Sequence, residues 1–169
     1  NLEGYAAALQ TAFARFGIPL YYAHRSDILR SSVLTLLLGA LDAASGGFEY
    51  EDVFRCLKTG LAGLSMAECD ILENYALKWE IRGAMWTRET PWSAHPDGYG
   101  EEWTDEARAR LKTVNALRER VQGPFARLKK GVGGSGEAEQ KVRALYDYLE
   151  EVNLPETLQA QTEQLFAAG

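Results

Sequence analysis

Cysteine, histidine and methionine are scarce in this sequence, two of each in 169 residues, and their scarcity excludes several kinds of chemistry. Cys56 and Cys69 are too few for a disulfide framework or a metal knuckle, and both fall on apolar helix faces, where a thiol acts as a small core residue. His24 and His95 stand too isolated to hold a metal. No apolar run approaches the roughly 20 residues that a membrane-spanning helix needs. Positive charge is also short: the formal net charge is −6 and the pI is near 5.0. That balance excludes a dedicated nucleic-acid-binding module of the usual basic kind and confines any DNA contact to a local patch. With no charged-then-apolar leader, a reducing cytoplasm is the expected compartment. The chain opens on Asn1 and stops after a helical pattern, so it reads as a piece of a longer protein.

What is present is the composition of a globular domain, 46% hydrophobic and 25% charged. The length suits one domain, or one domain with a small appendage. The organising stretch runs from Tyr50 to Trp86. Val53, Phe54 and Leu57 form one apolar helical stripe, and Thr59-Gly60 stops that helix. Ser65 begins a second helix, where the spacing from Ser65 to Glu68 fits a capping box that satisfies orphaned backbone N–H groups. Ile71, Leu72, Tyr75, Ala76 and Trp79 continue it as an apolar face.

Before this stretch, Tyr5, Leu9, Phe13 and Phe16 predict a helix ending at Gly17. Ile18-Pro19-Leu20-Tyr21-Tyr22 reads as a brief edge strand or extended segment, because Pro19 excludes a central strand. Ser26 and Asp27 open a long helix, apolar nearly all round from Ile28 to Leu41 and so expected to be central, which Gly46-Gly47 ends. After Trp86, residues 87–103 form a long loop bearing Trp92, His95, Tyr99 and Trp103. Thr104-Asp105-Glu106 starts a helix with Ala107, Leu111, Val114, Leu117 and Val121 on one face, and Gly123-Pro124 is expected to break it. Phe125 to Lys130 gives another turn or two. Gly131 to Gly136 reads as a flexible connector, followed by a helix through Val142, Leu145 and Leu149 and a last helix with Pro155 in its first turn. The expected architecture is therefore mainly α: residues 1–130 as a helical domain, 131–136 as connector, and 137–169 as a C-terminal helix pair packing on the same domain. At most one short edge strand is expected.

Few residues carry chemistry. Gly131 and Gly136 have Walker A spacing, but Glu137-Ala138 stands where Lys and Ser or Thr would reach phosphate and magnesium, so no phosphate loop is expected. Glu68, Asp70 and Glu73 crowd one helix without an oriented nucleophile or a third ligand, and Glu73 is spaced to face a cation such as Lys58 on a neighbouring helix. The remaining candidates are Arg25, Arg30, Lys58, Arg82, Arg88 and Trp92, cations and a ring that could meet phosphates and unpaired bases. The competing expectation is that these charges are solvated and the loop's rings pack onto the body.

Gly17-Ile18-Pro19, Val53-Phe54, Leu57 to Leu61, Asp70 to Tyr75, Ile81-Arg82-Gly83 and Trp86-Thr87 occur in an order and spacing that resembles the B subunit of the bacterial ATP-dependent helicase/nuclease called AddB or RexB. The resemblance is clear from Leu2 to Trp86, and the matching region of that family looks like accessory domain 2B of superfamily 1 helicases. It implies a chain that has no cofactor and no ATPase, helicase or nuclease activity of its own. Such a chain would position DNA or neighbouring domains in an assembly that resects double-strand breaks for homologous recombination in the bacterial cytoplasm. The parent protein would use ATP, magnesium and an iron-sulfur cluster, pair with an A subunit and not enter a membrane; the cluster's cysteines are absent here. The alternatives are a protein-interaction scaffold without DNA contact and the accessory domain of another superfamily 1 helicase.

Overall fold

The computed structural model describes residues 5–20 and 31–168. Among the described residues there are seven α-helices, one short 3-10 helix and no strand, so the protein is mainly α. The chain divides into two compact units, residues 1–30 and 31–169. In the first, α1 (Ala6–Arg15) ends where the Ile18 N–H bonds the Phe13 carbonyl across Gly17 at φ 64°. That is the expected glycine stop, because only glycine takes a left-handed backbone without side-chain strain. Residues 18–20 have no regular structure; Tyr21 and Tyr22 lie outside the described residues, as do His24, Arg25, Ser26, Asp27 and Arg30.

The second unit contains α2 (Ser32–Gly46), α3 (Tyr50–Leu57), α4 (Met66–Lys78), the 3-10 turn Gly83–Trp86, α5 (Asp105–Val132), α6 (Ala138–Glu151) and α7 (Leu154–Ala168). The stretch from Tyr50 to Trp86 supplies much of its core, with Val53, Phe54, Cys56, Leu57, Leu61, Leu72, Tyr75 and Trp86 all buried. The corner between α3 and α4 is built from local bonds: the Thr59 hydroxyl donates to the Cys56 carbonyl at 2.8 Å and accepts from the Leu61 N–H. The capping box is present in both directions, Ser65 N–H to Glu68 at 2.8 Å and Glu68 N–H to the Ser65 hydroxyl at 3.3 Å. Ile71 departs from the expected stripe. It is 43% exposed, because the buried face of α4 is defined by Cys69, Leu72, Tyr75 and Ala76.

Two expectations about the long helices are corrected. Described α2 is not central, for only Leu36, Gly39, Ala40, Ala43 and Ala44 are buried while Leu38 is exposed. One face is pressed against α3 so closely that a Cβ on Gly39 would stand 3.0 Å from the Cys56 backbone nitrogen. The spine is instead α5, which runs without a break through Gly123-Pro124 to Val132. Proline deletes one helical hydrogen bond and costs about 3 kcal/mol in a helix interior. Here Val114, Leu117, Val121, Phe125 and Leu128 are buried at helical spacing on both sides of it, and Pro124 is buried with them. Burial of each large apolar side chain is worth roughly 1.5–3 kcal/mol, so tertiary packing outweighs the breaker. The non-helical link is accordingly Gly133 to Glu137. Across it α6 returns along α5, with Tyr148 stacked on Phe125 at 6.1 Å, and Asn153 at φ 54° turns the chain into α7 with Pro155 in its first turn.

At the centre Trp86 is fully buried, edge-on to Phe54 at 5.8 Å and to Trp92 at 5.3 Å, offset arrangements that suit ring quadrupoles. Cys56 and Cys69 are core thiols. Burial pushes Cys56 up to about 12, and its sulfur meets the Tyr148 hydroxyl at 3.2 Å; burial likewise raises Cys69 to about 11. Neither can serve as a thiolate at neutral pH.

Candidate nucleic-acid interface

The loop from Thr87 to Trp103 is held down from both sides. On α5 the side chains of Asn115, Arg118 and Gln122, three and four residues apart, form a polar row facing its backbone. Asn115 accepts from the Trp92 N–H and donates to the Trp92 carbonyl, both at 2.9 Å, as a neighbouring strand would. Arg118 donates to the Arg88 carbonyl, and Gln122 donates to the Thr87 carbonyl at 2.8 Å. From α4, the Tyr75 hydroxyl donates to the Ala94 carbonyl at 3.0 Å, and from just beyond its end the Trp79 indole donates to the His95 carbonyl at 3.0 Å. His95 is buried: its Nδ1 accepts from the Asp97 N–H and its Nε2 donates to the Glu102 carbonyl, so the loop itself fixes its tautomer.

These bonds decide what the candidate residues can do. Trp92 lies in the core, 3% exposed, stacked on Tyr75 at 5.3 Å with the Arg118 guanidinium over its ring at 5.5 Å. No face of that ring is open to a base, and the expectation that the loop's rings pack onto the body holds for Trp92 and His95. Lys58 lies at the end of α3 and pairs with Glu73 at 2.7 Å. Glu73 also accepts from the Tyr50 hydroxyl. Burial alone would raise the Glu73 carboxyl, but the Lys58 ammonium and the Tyr50 hydroxyl outweigh it and hold the group below its ordinary value; Glu73 in turn raises Lys58 and Tyr50.

Several other arginines on this unit are matched as well. Arg55 meets Asp42 and Asp52, Arg110 meets Asp97, Arg120 meets Glu68, and Arg127 grips Glu151 with two nitrogens. Glu68 and Glu73 are therefore spent on structural bonds and diverge from Asp70, which is exposed. Among the described residues no three His, Cys, Asp or Glu side chains converge as metal ligands. By contrast Arg82 and Arg88 are exposed and have no carboxylate partner among the described residues. They flank the 3-10 turn Gly83–Trp86, whose Trp86 is locked in the core, while Arg118 and Gln122 fix the backbone at Arg88 and Thr87.

The polar row on α5 was not anticipated from the sequence. Its signal was the spacing: Arg118 falls four residues after Val114 and one turn before Val121 and Gln122, on the buried stripe. It is 1% exposed, and burial lowers its guanidinium below its ordinary value.

The fold and its bonds thus define a helical body with several cations in ion pairs and with two exposed arginines, Arg82 and Arg88, beside a pinned turn. The chain belongs to the family of B subunits of the ATP-dependent helicase/deoxyribonuclease. The B subunits of that name from Acetivibrio thermocellus and Clostridium botulinum are each 34% identical to it over its whole length, and the one from Heliobacterium modesticaldum is 33% identical. The chain spans about 15% of the length of the curated relatives it matches. No protein-family model matches it. Among the described residues no helix is long and apolar enough to cross a membrane.

Proposed function

We propose that this chain is a non-catalytic helical segment of the B polypeptide of a DNA-repair helicase/nuclease, in the region equivalent to accessory domain 2B. In that place it positions DNA and neighbouring domains while broken ends are resected for homologous recombination in the bacterial cytoplasm. The observation that carries this reading is the match along the entire chain to B subunits of ATP-dependent helicase/deoxyribonucleases. On this reading the rest of the assembly supplies the A subunit and uses ATP, magnesium and an iron-sulfur cluster.

The DNA contact is assigned to Arg82 and Arg88, which have charge to spare and a fixed backbone, with Arg25 and Arg30 as further candidates outside the described residues. Lys58 is the weaker candidate, because releasing it for a phosphate would strand Glu73. A patch of this size on an acidic chain binds weakly and steeply with salt, since each phosphate contact releases condensed counterions. The purified chain is expected to bind a tailed duplex at low salt, lose it as salt rises, and hydrolyse no ATP. ATP turnover by the purified chain would overturn the non-catalytic assignment, and absence of binding at low salt would leave the scaffold without DNA contact as the better reading.

A further inference from the structure

The tip of the long loop carries the most exposed aromatic surface of the second unit outside its last helix. Tyr99 is 94% exposed and Trp103 is 42% exposed. Trp103 lies edge-on to the His95 ring at 4.5 Å, with His95 itself fixed through both ring nitrogens, and Tyr99 projects from the loop 6.3 Å from Trp79. Around these rings the loop's own charged side chains are all acidic, while Lys78 and Arg108 bond the Pro96 and Trp103 carbonyls. From His95 to Glu106 the sequence contains Asp97, Glu101, Glu102, Asp105 and Glu106 and no lysine or arginine. Arg110 and Arg108 reach back to Asp97 and Asp105, whereas Glu101 and Glu102 are exposed with no cation against them among the described residues.

We propose that this tip is a docking surface for an arginine- or lysine-bearing face elsewhere on the longer polypeptide. The inference rests on the family assignment and is independent of the contact assigned to Arg82 and Arg88. Rigid Tyr and Trp side chains give large contact area at low entropic cost and are typical interface anchors. Their faces attract guanidinium and ammonium groups, and flanking carboxylates add charge-assisted hydrogen bonds. The same carboxylates repel phosphate, so nucleic acid is the wrong occupant. The length of the relatives points to the source, because this chain accounts for about 15% of them. A face tethered on the same polypeptide meets the tip at an effective concentration on the order of millimolar, so a small patch is enough.

The test places the photo-crosslinking analogue p-benzoyl-phenylalanine at Tyr99 in the full-length polypeptide, with binding of a tailed duplex measured on the same sample. The exposure of Tyr99 keeps the replacement from disturbing the fold. The expected result is a crosslink to a lysine- or arginine-containing peptide of the same polypeptide outside these 169 residues. Its yield should fall about threefold or more when Glu101→Lys and Glu102→Lys are added. A crosslink to DNA or to a separate polypeptide, a crosslink only within these residues, no crosslink, or indifference to the charge reversal would each overturn the proposal. The duplex measurement reports separately on Arg82 and Arg88, so either reading can fail without the other.

Discussion

Arg118 is the residue at which burial and charge conflict most openly. It is almost fully buried, and among the described residues its Nε has no hydrogen-bond partner and no carboxylate pairs with it; what it has is the Arg88 carbonyl and the face of Trp92. A buried charge without a counter-ion is retained more easily as a broad, weakly hydrated guanidinium than as a compact ammonium. Arg118→Lys is therefore expected to destabilise by about 2 kcal/mol, more than Arg118→Met, which loses the same contacts but removes the buried charge. Chemical denaturation of the two variants checks the order, and equal stability would show that the planar stack contributes nothing. Glu73 gives the opposite case, a carboxyl whose partners hold it below its ordinary value. The unfolded chain then takes up the proton first. The stabilisation from Glu73 is present above the ordinary carboxylate range near pH 4.3 and is lost as pH falls through that range toward the folded value. Glu73→Gln should cost about 1 kcal/mol at neutral pH and flatten that part of the acid titration; an unchanged acid limb would mean that the bonds to Lys58 and Tyr50 do not persist in solution.

At the scale of the element, the sequence was most informative where local chemistry is self-contained. The glycine stop after α1, the Thr59-Gly60 corner and the reciprocal bonds of Ser65 and Glu68 were all legible, because their partners lie within a few residues. Pro124 was misleading for the converse reason: its local cost is real, but the packing that outweighs it comes from Phe48 and Tyr148, both meeting Phe125 from distant positions. Leucine-rich α2 was misjudged because periodicity counts apolar residues without showing how many faces a neighbour covers. The contact that fixes α2 is the one at Gly39, where a methyl group would meet the backbone of α3. Gly39→Ala gains up to about 1 kcal/mol of helix propensity yet forces the two helices apart, and overpacking of this kind costs about 1–3 kcal/mol. A net loss near 1–2 kcal/mol is expected in thermal or denaturant unfolding. A stabilised variant would show that the two helices are not so closely apposed.

For the whole molecule, the net charge of −6 works against nucleic acid as a partner of the body as a whole. Lys58 and Glu73 were anticipated as a pair because Glu73 is spaced to face a cation of a neighbouring helix and Lys58 stands at a helix end. The candidate site was legible only in part: Arg82 and Arg88 were found by their place around the motif ending at Trp86, whereas the burial of Trp92 depends on Asn115 and Arg118 from a helix that begins beyond the loop. No sequence period links such positions. The proposed function requires this acidic segment nevertheless to touch DNA through Arg82 and Arg88 beside the pinned turn. The measurement that tests it most directly is the salt dependence of tailed-duplex binding by the full-length polypeptide, wild type against Arg82→Gln with Arg88→Gln. Loss of two phosphate contacts predicts weaker binding and a slope of log affinity against log salt that is shallower by about 1.5. An unchanged affinity and slope would contradict the DNA contact and leave the segment as a scaffold within the longer polypeptide.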